Sequence, residues 1–117
     1  NGLYLNWKLS KIIMCFGYPL SIDQAIVFYK DKFPVGLITF AYVSDEALED
    51  LMSGKRVIQK DDWQSGKNLF VPDLIAPRGD VRRITKHFHK FVKEKHGRGY
   101  RCHWYRPALK RSGYAVS

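Results

Sequence analysis

Residues 69–106 read LFVPDLIAPRGDVRRITKHFHKFVKEKHGRGYRCHWYR, and the order of patterns within them decides the fold class. Leu69 to Ile75 is a short, mainly apolar run of the kind that forms a buried strand. Pro72 inside it removes a ladder donor, so that position is expected at an edge or a bulge where the strand splays. Pro77-Arg78-Gly79-Asp80 is a turn, and Asp80 is placed to cap the next helix. Val81, Ile84, Phe88 and Phe91 mark the apolar stripe of a helix ending near Gly97, and Tyr100 to Arg106 returns to a strand. A long helix between two strands is the pattern of a βαβ crossover.

Toward the N-terminus, Leu9, Ile12, Ile13 and Phe16 fall at helical spacing and predict a short amphipathic helix that Gly17 and Pro19 stop. Ala25 to Tyr29 and Val35 to Val43 flank the turn Asp31-Lys32-Phe33-Pro34, which predicts a β-hairpin. Ser44 stands as an N-cap before Asp45 and Glu46, and Gly54 closes a short helix over Ala47, Leu48 and Leu51. Val57 and Ile58 suggest a further short strand before the polar loop Lys60 to Lys67, in which Trp63 reads as a buried anchor. Toward the C-terminus, Arg111 to Val116 reads as a last strand. The expected architecture is α/β (α+β), a mixed central sheet flanked by helices, in a single domain over residues 1–117.

Aromatic residues are 15% of the 117 and hydrophobic residues 45%, a globular composition rather than a disordered one. The longest apolar runs, Ile12 to Phe16 and Leu69 to Val71, are far below the roughly 20 residues of a membrane-spanning helix. The sequence begins Asn1-Gly2-Leu3, with neither a methionine nor a charged leader before an apolar stretch. No secretory signal is read, and the start is compatible with trimming. Two cysteines, Cys15 and Cys102, make no disulfide framework and no metal-ligand spacing, so both are expected to pack as apolar side chains in a reduced, cytoplasmic protein.

The net charge of +9 is concentrated. Residues 78–111 carry twelve Lys or Arg against only Asp80 and Glu94, while the rest of the chain has eight basic side chains and nine acidic ones. A one-sided field of this kind attracts an anionic partner: nucleic acid, an acidic protein or a phosphate-bearing cofactor.

Three segments say more than periodicity does: Leu3-Tyr4-Leu5-Asn6-Trp7, Asp61-Asp62-Trp63-Gln64-Ser65-Gly66, and Asp73-Leu74-Ile75-Ala76-Pro77-Arg78-Gly79-Asp80. Their order and spacing resemble the toxin-activating lysine acyltransferases of RTX haemolysin systems, and the likeness extends through Phe33-Pro34-Val35 to Arg101 and Pro107. The resemblance implies a GNAT-like acyl-transfer fold, a cytoplasmic location, and transfer of a fatty acyl group from acyl carrier protein to lysine side chains of a protoxin. The partners it implies are acyl carrier protein and a target protein carrying the acceptor lysine. No permanently bound cofactor is expected, the acyl phosphopantetheine thioester being a substrate. A homodimer is compatible with the sequence. In that family a histidine in the first segment and the aspartate ending the third are the essential pair. Here the aspartate is Asp80, and Tyr4 occupies the histidine's position.

Attack on a thioester needs a neutral amine, whereas a free lysine titrates near 10.4. An imidazole suits the base near neutral pH. A tyrosine hydroxyl is a poor base but can protonate a departing thiolate. Tyr4 is therefore read either as a helper of the leaving group or as an aromatic packed beside Trp7. Asp80 is read as a base, as an orienting group or as the helix cap alone. His103, on the strand after the long helix, is a candidate replacement base or a structural histidine sharing a strand face with Arg101 and Tyr105. The backbone from Gly79 to Arg82 opens a helix after a strand, a natural place for a phosphate or an oxyanion. Ala76, Arg78, Gly79, Arg82 and Arg83 are accordingly the expected donor-binding residues, with Arg82, Arg83, Lys86, Lys90 and Lys93 facing an acidic carrier protein. Two other functions remain open: a catalytically silent module of the same fold in a larger, phage-type assembly, and nucleic-acid binding through the basic helix.

Overall fold

A computed structural model describes residues 16–77, 79–106 and 111–116. Tyr4, Trp7, Cys15, Arg78 and, apart from Phe16, the helix expected from Leu9 lie outside them. The elements in order are α1 (Gly17–Ser21), β1 (Ala25–Lys30), β2 (Phe33–Thr39), β3 (Ala41–Val43), α2 (Asp45–Met52), a single 3₁₀ turn (Lys60–Asp62), β4 (Asn68–Val71), β5 (Leu74–Ile75), α3 (Val81–His96), β6 (Arg101–Arg106) and β7 (Arg111–Val116). Gly17 and Pro19, expected to stop a helix, lie inside α1. A proline in the first turn forfeits no intrahelical bond, because its N–H would have had no partner there.

The α/β architecture is as expected, but the strands form two separate sheet segments rather than one mixed central sheet. One runs β1-β2-β5, all antiparallel, and the other runs β3-β4-β6-β7, with β4 and β6 parallel across the α3 crossover. Two strands expected to be continuous connect the segments. Val35 to Val43 breaks at Phe40, whose N–H turns aside to the Gln24 carbonyl at 2.9 Å. Leu69 to Ile75 breaks at Pro72 and Asp73, where a proline had to leave the ladder. The hairpin turn carries Asp31 and Lys32 at positive φ (52° and 73°), the two-residue geometry that matches strand twist.

Strand alternation divides the core between the two faces. On one face α3 buries Ile84, Phe88 and Val92 against Ile38, Phe40, Leu69 and Cys102. On the other, α2 and the 61–66 loop pack Ala47, Leu51 and Trp63 against Ala41, Val43 and Phe70. The α3 stripe differs from the expected one at its ends: Val92 is buried, Phe91 only half-buried, and Val81 is 41% exposed. Ser44 caps α2 as expected, its Oγ accepting from the Ala47 N–H at 3.1 Å.

The 61–66 segment is fixed to the second face by internal bonds. Asp62 accepts both guanidinium N–H groups of Arg56 (2.5 and 3.0 Å) and the Gln59 N–H (2.8 Å). These bonds tie residues 56–59 down as a loop, so the expected Val57-Ile58 strand does not form and Val57 is left exposed. Trp63 is buried, as a lone aromatic in a polar loop predicts, and its carbonyl accepts from the Tyr42 N–H and from Gln24 Nε2. Ser65 Oγ accepts from the Ser44 N–H and donates to the Asp62 carbonyl. Gly66 closes the loop against backbone: a Cβ there would stand 2.5 Å from the Val43 carbonyl and 2.6 Å from Ser44, a contact no side-chain rotation relieves.

Candidate functional site

The break at Pro72 opens the site. β4 and β6 run in register through Leu69↔Cys102, Phe70↔His103 and Val71↔Trp104. The chain then crosses to β2, so that Leu74 and Ile75 pair with Ile38 and Leu37 instead of β6. Tyr105 and Arg106 continue without a parallel partner on that side, and the strands part around a cleft of about 640 Å³. Its walls are largely apolar, with Val71, Leu74, Val81, Phe88 and Trp104 among them. This is the size and character of a pocket that takes an extended apolar ligand.

Asp73 is the acid in the cleft wall. It is held by reciprocal bonds to Thr39: the Thr39 N–H reaches the Asp73 carbonyl at 3.0 Å, the Asp73 N–H reaches Thr39 Oγ1 at 3.1 Å, and Thr39 Oγ1 donates to the carboxylate at 3.3 Å. Burial pushes the Asp73 carboxyl above its ordinary value, and the Thr39 hydroxyl restrains the rise. Such a carboxylate binds a proton more readily than a solvated one, which suits it to receive one. Sequence reasoning alone misses Asp73 as a site residue. Its signal is that of an acid placed directly after the proline that splits a strand.

Cys102 also lines the cleft, and burial alone raises its thiol to about 12. It therefore stays protonated near neutral pH, and an unionised thiol is a poor nucleophile. Trp104 is set by Gly113 on the neighbouring strand, where a Cβ would collide with the indole ring. Arg106 lies over that ring at 5.2 Å, close enough for a cation–π contact.

Asp80 precedes α3 as its N-cap residue but makes no side-chain capping bond, contrary to expectation. Its φ of −79° and ψ of 19° depart from the extended geometry in which a cap side chain folds back on the first turn. The half-buried carboxylate instead faces the exposed Arg83 at 3.6 Å. Ala76 packs against the α3 core cluster. Gly79, at a φ of +80°, already donates its N–H to the Ala76 carbonyl, so that donor closes the turn. Arg82 and Arg83 are exposed on the first turn of α3.

His103 sits on the other face of β6. Cys102 and Trp104 point toward α3 and the cleft, and the period of two turns His103 the opposite way. Its Nδ1 lies 3.1 Å from the Leu69 carbonyl, which can only accept, so Nδ1 carries the proton. Among the described residues no bond or ion pair joins His103 to Asp80. Tyr4 and Arg78 lie outside the described residues.

A parted parallel strand pair, an apolar cleft and a helix N-terminus beside it form an arrangement consistent with an N-acyltransferase-like fold. Residues 3–108 match the RTX toxin acyltransferase family. The chain belongs to that family. Among its relatives are the lysine-acyltransferase RtxC of Vibrio cholerae serotype O1, 33% identical over 67 residues (56% of this chain, 44% of that protein), and the RTX-II toxin-activating lysine-acyltransferase ApxIIC of Actinobacillus pleuropneumoniae, 25% identical over 114 residues (97% and 69%). A third is the protein-lysine myristoyltransferase RtxC of Kingella kingae, 27% identical over 92 residues (79% and 55%). The matched stretches span 44% to 69% of the length of these relatives. Within the RTX toxin acyltransferase match, the 61–66 segment serves the fold, and Asp73, Leu74 and Ile75 border the cleft.

Proposed function

We propose that the chain is a protein-lysine acyltransferase that moves a fatty acyl group from a carrier-borne thioester to lysine side chains of a target protein, the reaction of a toxin-activating enzyme. The observation that carries this reading is the parting of β5 from β6, which leaves an apolar cleft with the half-buried Asp73 in its wall, in a chain of this family. The acyl chain lies along Val71, Leu74, Phe88 and Trp104, away from water.

The lysine nitrogen, freed of its proton, attacks the thioester carbonyl carbon. The C–N bond forms, the C–S bond breaks, and the leaving sulfur takes up a proton. Overall, the ammonium and the thioester give an amide, a thiol and one released proton. Asp73 receives that proton on the carboxylate whose burial favours the protonated state. Asp80, the aspartate of the family's essential pair, stands directly before Val81, which lines the cleft, and Tyr4 takes the place of that pair's histidine. The protonated state of Cys102 favours direct transfer over an acyl-cysteine intermediate.

Acyl carrier protein is the donor that best fits the charge. Arg82 at the first turn of α3 would meet its acidic surface, and this reaction belongs in the cytoplasm. Tyr4 in place of the family histidine favours one second reading, a binding module of the same fold without turnover. Incubating the chain with acyl-loaded carrier protein and an acceptor protein, followed by mass analysis, tests both. Acyl-lysine on the acceptor in excess of an enzyme-free control is expected. An unmodified acceptor beside an unconsumed thioester would contradict the transferase reading and favour the silent module.

A further inference from the structure

A second concavity, of about 750 Å³, lies between α3 and β7. From α3 it is lined by Arg83, Lys86, His87, Lys90 and Lys93, and from β7 by Ala115 and Val116. Ala115 and His89 border both this groove and the cleft, so the two are adjacent. β7 pairs only with β6 and ends its sheet among the described residues. An end strand offers one row of unpaired backbone groups, and an extended peptide can add to it.

The charges face one way. Arg83, Lys86, Lys90 and Lys93 succeed one another at intervals of three and four residues, a single stripe along α3. The acidic side chains of α3 and its cap are Glu94, beyond the groove, and Asp80, which is paired to Arg83. With a rise of about 1.5 Å per residue, Lys86 and Lys90 are roughly 6 Å apart along the helix axis. Alternate residues of an extended peptide are separated by about 6.6 Å. A strand with acidic residues at alternate positions, its backbone along β7, can therefore set two of them against Lys86 and Lys90, while the outer steps to Arg83 and Lys93 are shorter, about 4.5 Å each, and are met by the reach of the long basic side chains.

We propose that this groove receives the acceptor polypeptide: an extended acidic segment lies between α3 and β7 and delivers its lysine where Ala115 and His89 border both the groove and the cleft. The assignment rests on the acyltransferase reading for the lysine's fate, but the binding itself does not.

Binding and transfer are therefore measured separately. A fluorescent twelve-residue peptide with glutamate at alternate positions and one terminal lysine is titrated against the chain and its Lys86→Glu/Lys90→Glu variant at two ionic strengths. A basic peptide and a 20-base-pair DNA duplex serve as competitors. Both substituted positions are exposed, so the thermal midpoint should stay put. The native chain should bind the acidic peptide, the variant should bind roughly tenfold more weakly, and the difference should shrink with salt. In transfer assays the variant should raise KM for the acceptor and leave KM for the donor unchanged. Equal peptide binding by both proteins would overturn the groove, and so would displacement of the peptide by the duplex at lower concentration than by unlabelled peptide. Peptide binding lost in the variant, with no transfer by either protein, would leave the groove standing and remove the transferase reading.

Discussion

The 61–66 loop, packed with Trp63 in one core cluster, and the chain break at Pro72 and Asp73, beside the cleft, treat their carboxylates in opposite ways. Asp62 is bound by the Arg56 guanidinium and the Gln59 N–H, which hold its carboxyl below the ordinary value. Asp73 has one hydroxyl for a partner and a cleft beside it, and burial holds its carboxyl above the ordinary value. Two acids of similar prominence in the sequence thus belong to different tasks. A fully partnered carboxylate holds a loop, and an under-partnered one in an open cleft is available to a substrate.

The largest expected effect tests the cleft. Asp73→Asn should lower the rate of acyl transfer by roughly 10²- to 10⁴-fold if the carboxylate receives the amine's proton, while Thr39 still finds an acceptor in the amide. In the native chain the rate should rise with pH as Asp73 loses its proton. A single-turnover rate within experimental error of the native one would remove Asp73 from the chemistry.

Trp63→Ala should act on the other segment, costing about 3–5 kcal/mol of stability because it vacates a buried indole site. Urea unfolding measures this directly, and a midpoint shift no larger than that of an exposed-residue variant would show that the segment does not anchor the fold.

The pH dependence of stability separates the two carboxylates more finely. Asp62 titrates lower in the folded chain than in the unfolded one, so its contribution is present above its ordinary value of 3.8 and is lost as pH falls through the folded value. Asp73 titrates higher in the folded chain, so its contribution is present at low pH and is lost as pH rises through the folded value. At pH 7 Asp62→Asn should therefore lower the thermal midpoint, and Asp73→Asn should leave it level or raise it. The same sign for both would contradict the contrast.

The smallest expected effect is that of Cys102→Ala on turnover. A thiol raised to about 12 takes no part as a thiolate, so transfer should persist and no acyl-cysteine should be trapped. A thioester on Cys102 in quenched native protein, with loss of transfer in the variant, would replace direct transfer by a two-step route.

Much of the fold is legible in the sequence. The α3 crossover, the hairpin and the buried Trp63 follow from periodicity and turn residues, because each depends on neighbours close in sequence. The split of both long strands is half legible. Pro72 announces one break, but the Phe40 break depends on the Gln24 carbonyl 16 residues away. The missing Val57-Ile58 strand depends on the Arg56–Asp62 pair, which local propensity does not register. Asp80 illustrates the same limit at the site. A residue ahead of a helix reads as its cap, yet the backbone angle the turn imposes sends the carboxylate to Arg83. The face on which His103 lies is set by its register against Phe70, and only the assembled sheet fixes that register.

The most direct test of the central claim, that the parted strands hold the acyl chain, is methyl NMR of the native chain titrated with a fatty acyl phosphopantetheine. Methyl signals of Ile38, Val71, Leu74 and Val81, which line the cleft, should shift together and saturate, while those of Val43, Leu48 and Leu51 on the opposite face should stay in place. Shifts concentrated at Val43, Leu48 and Leu51, or saturating binding with the cleft methyls unmoved, would contradict it.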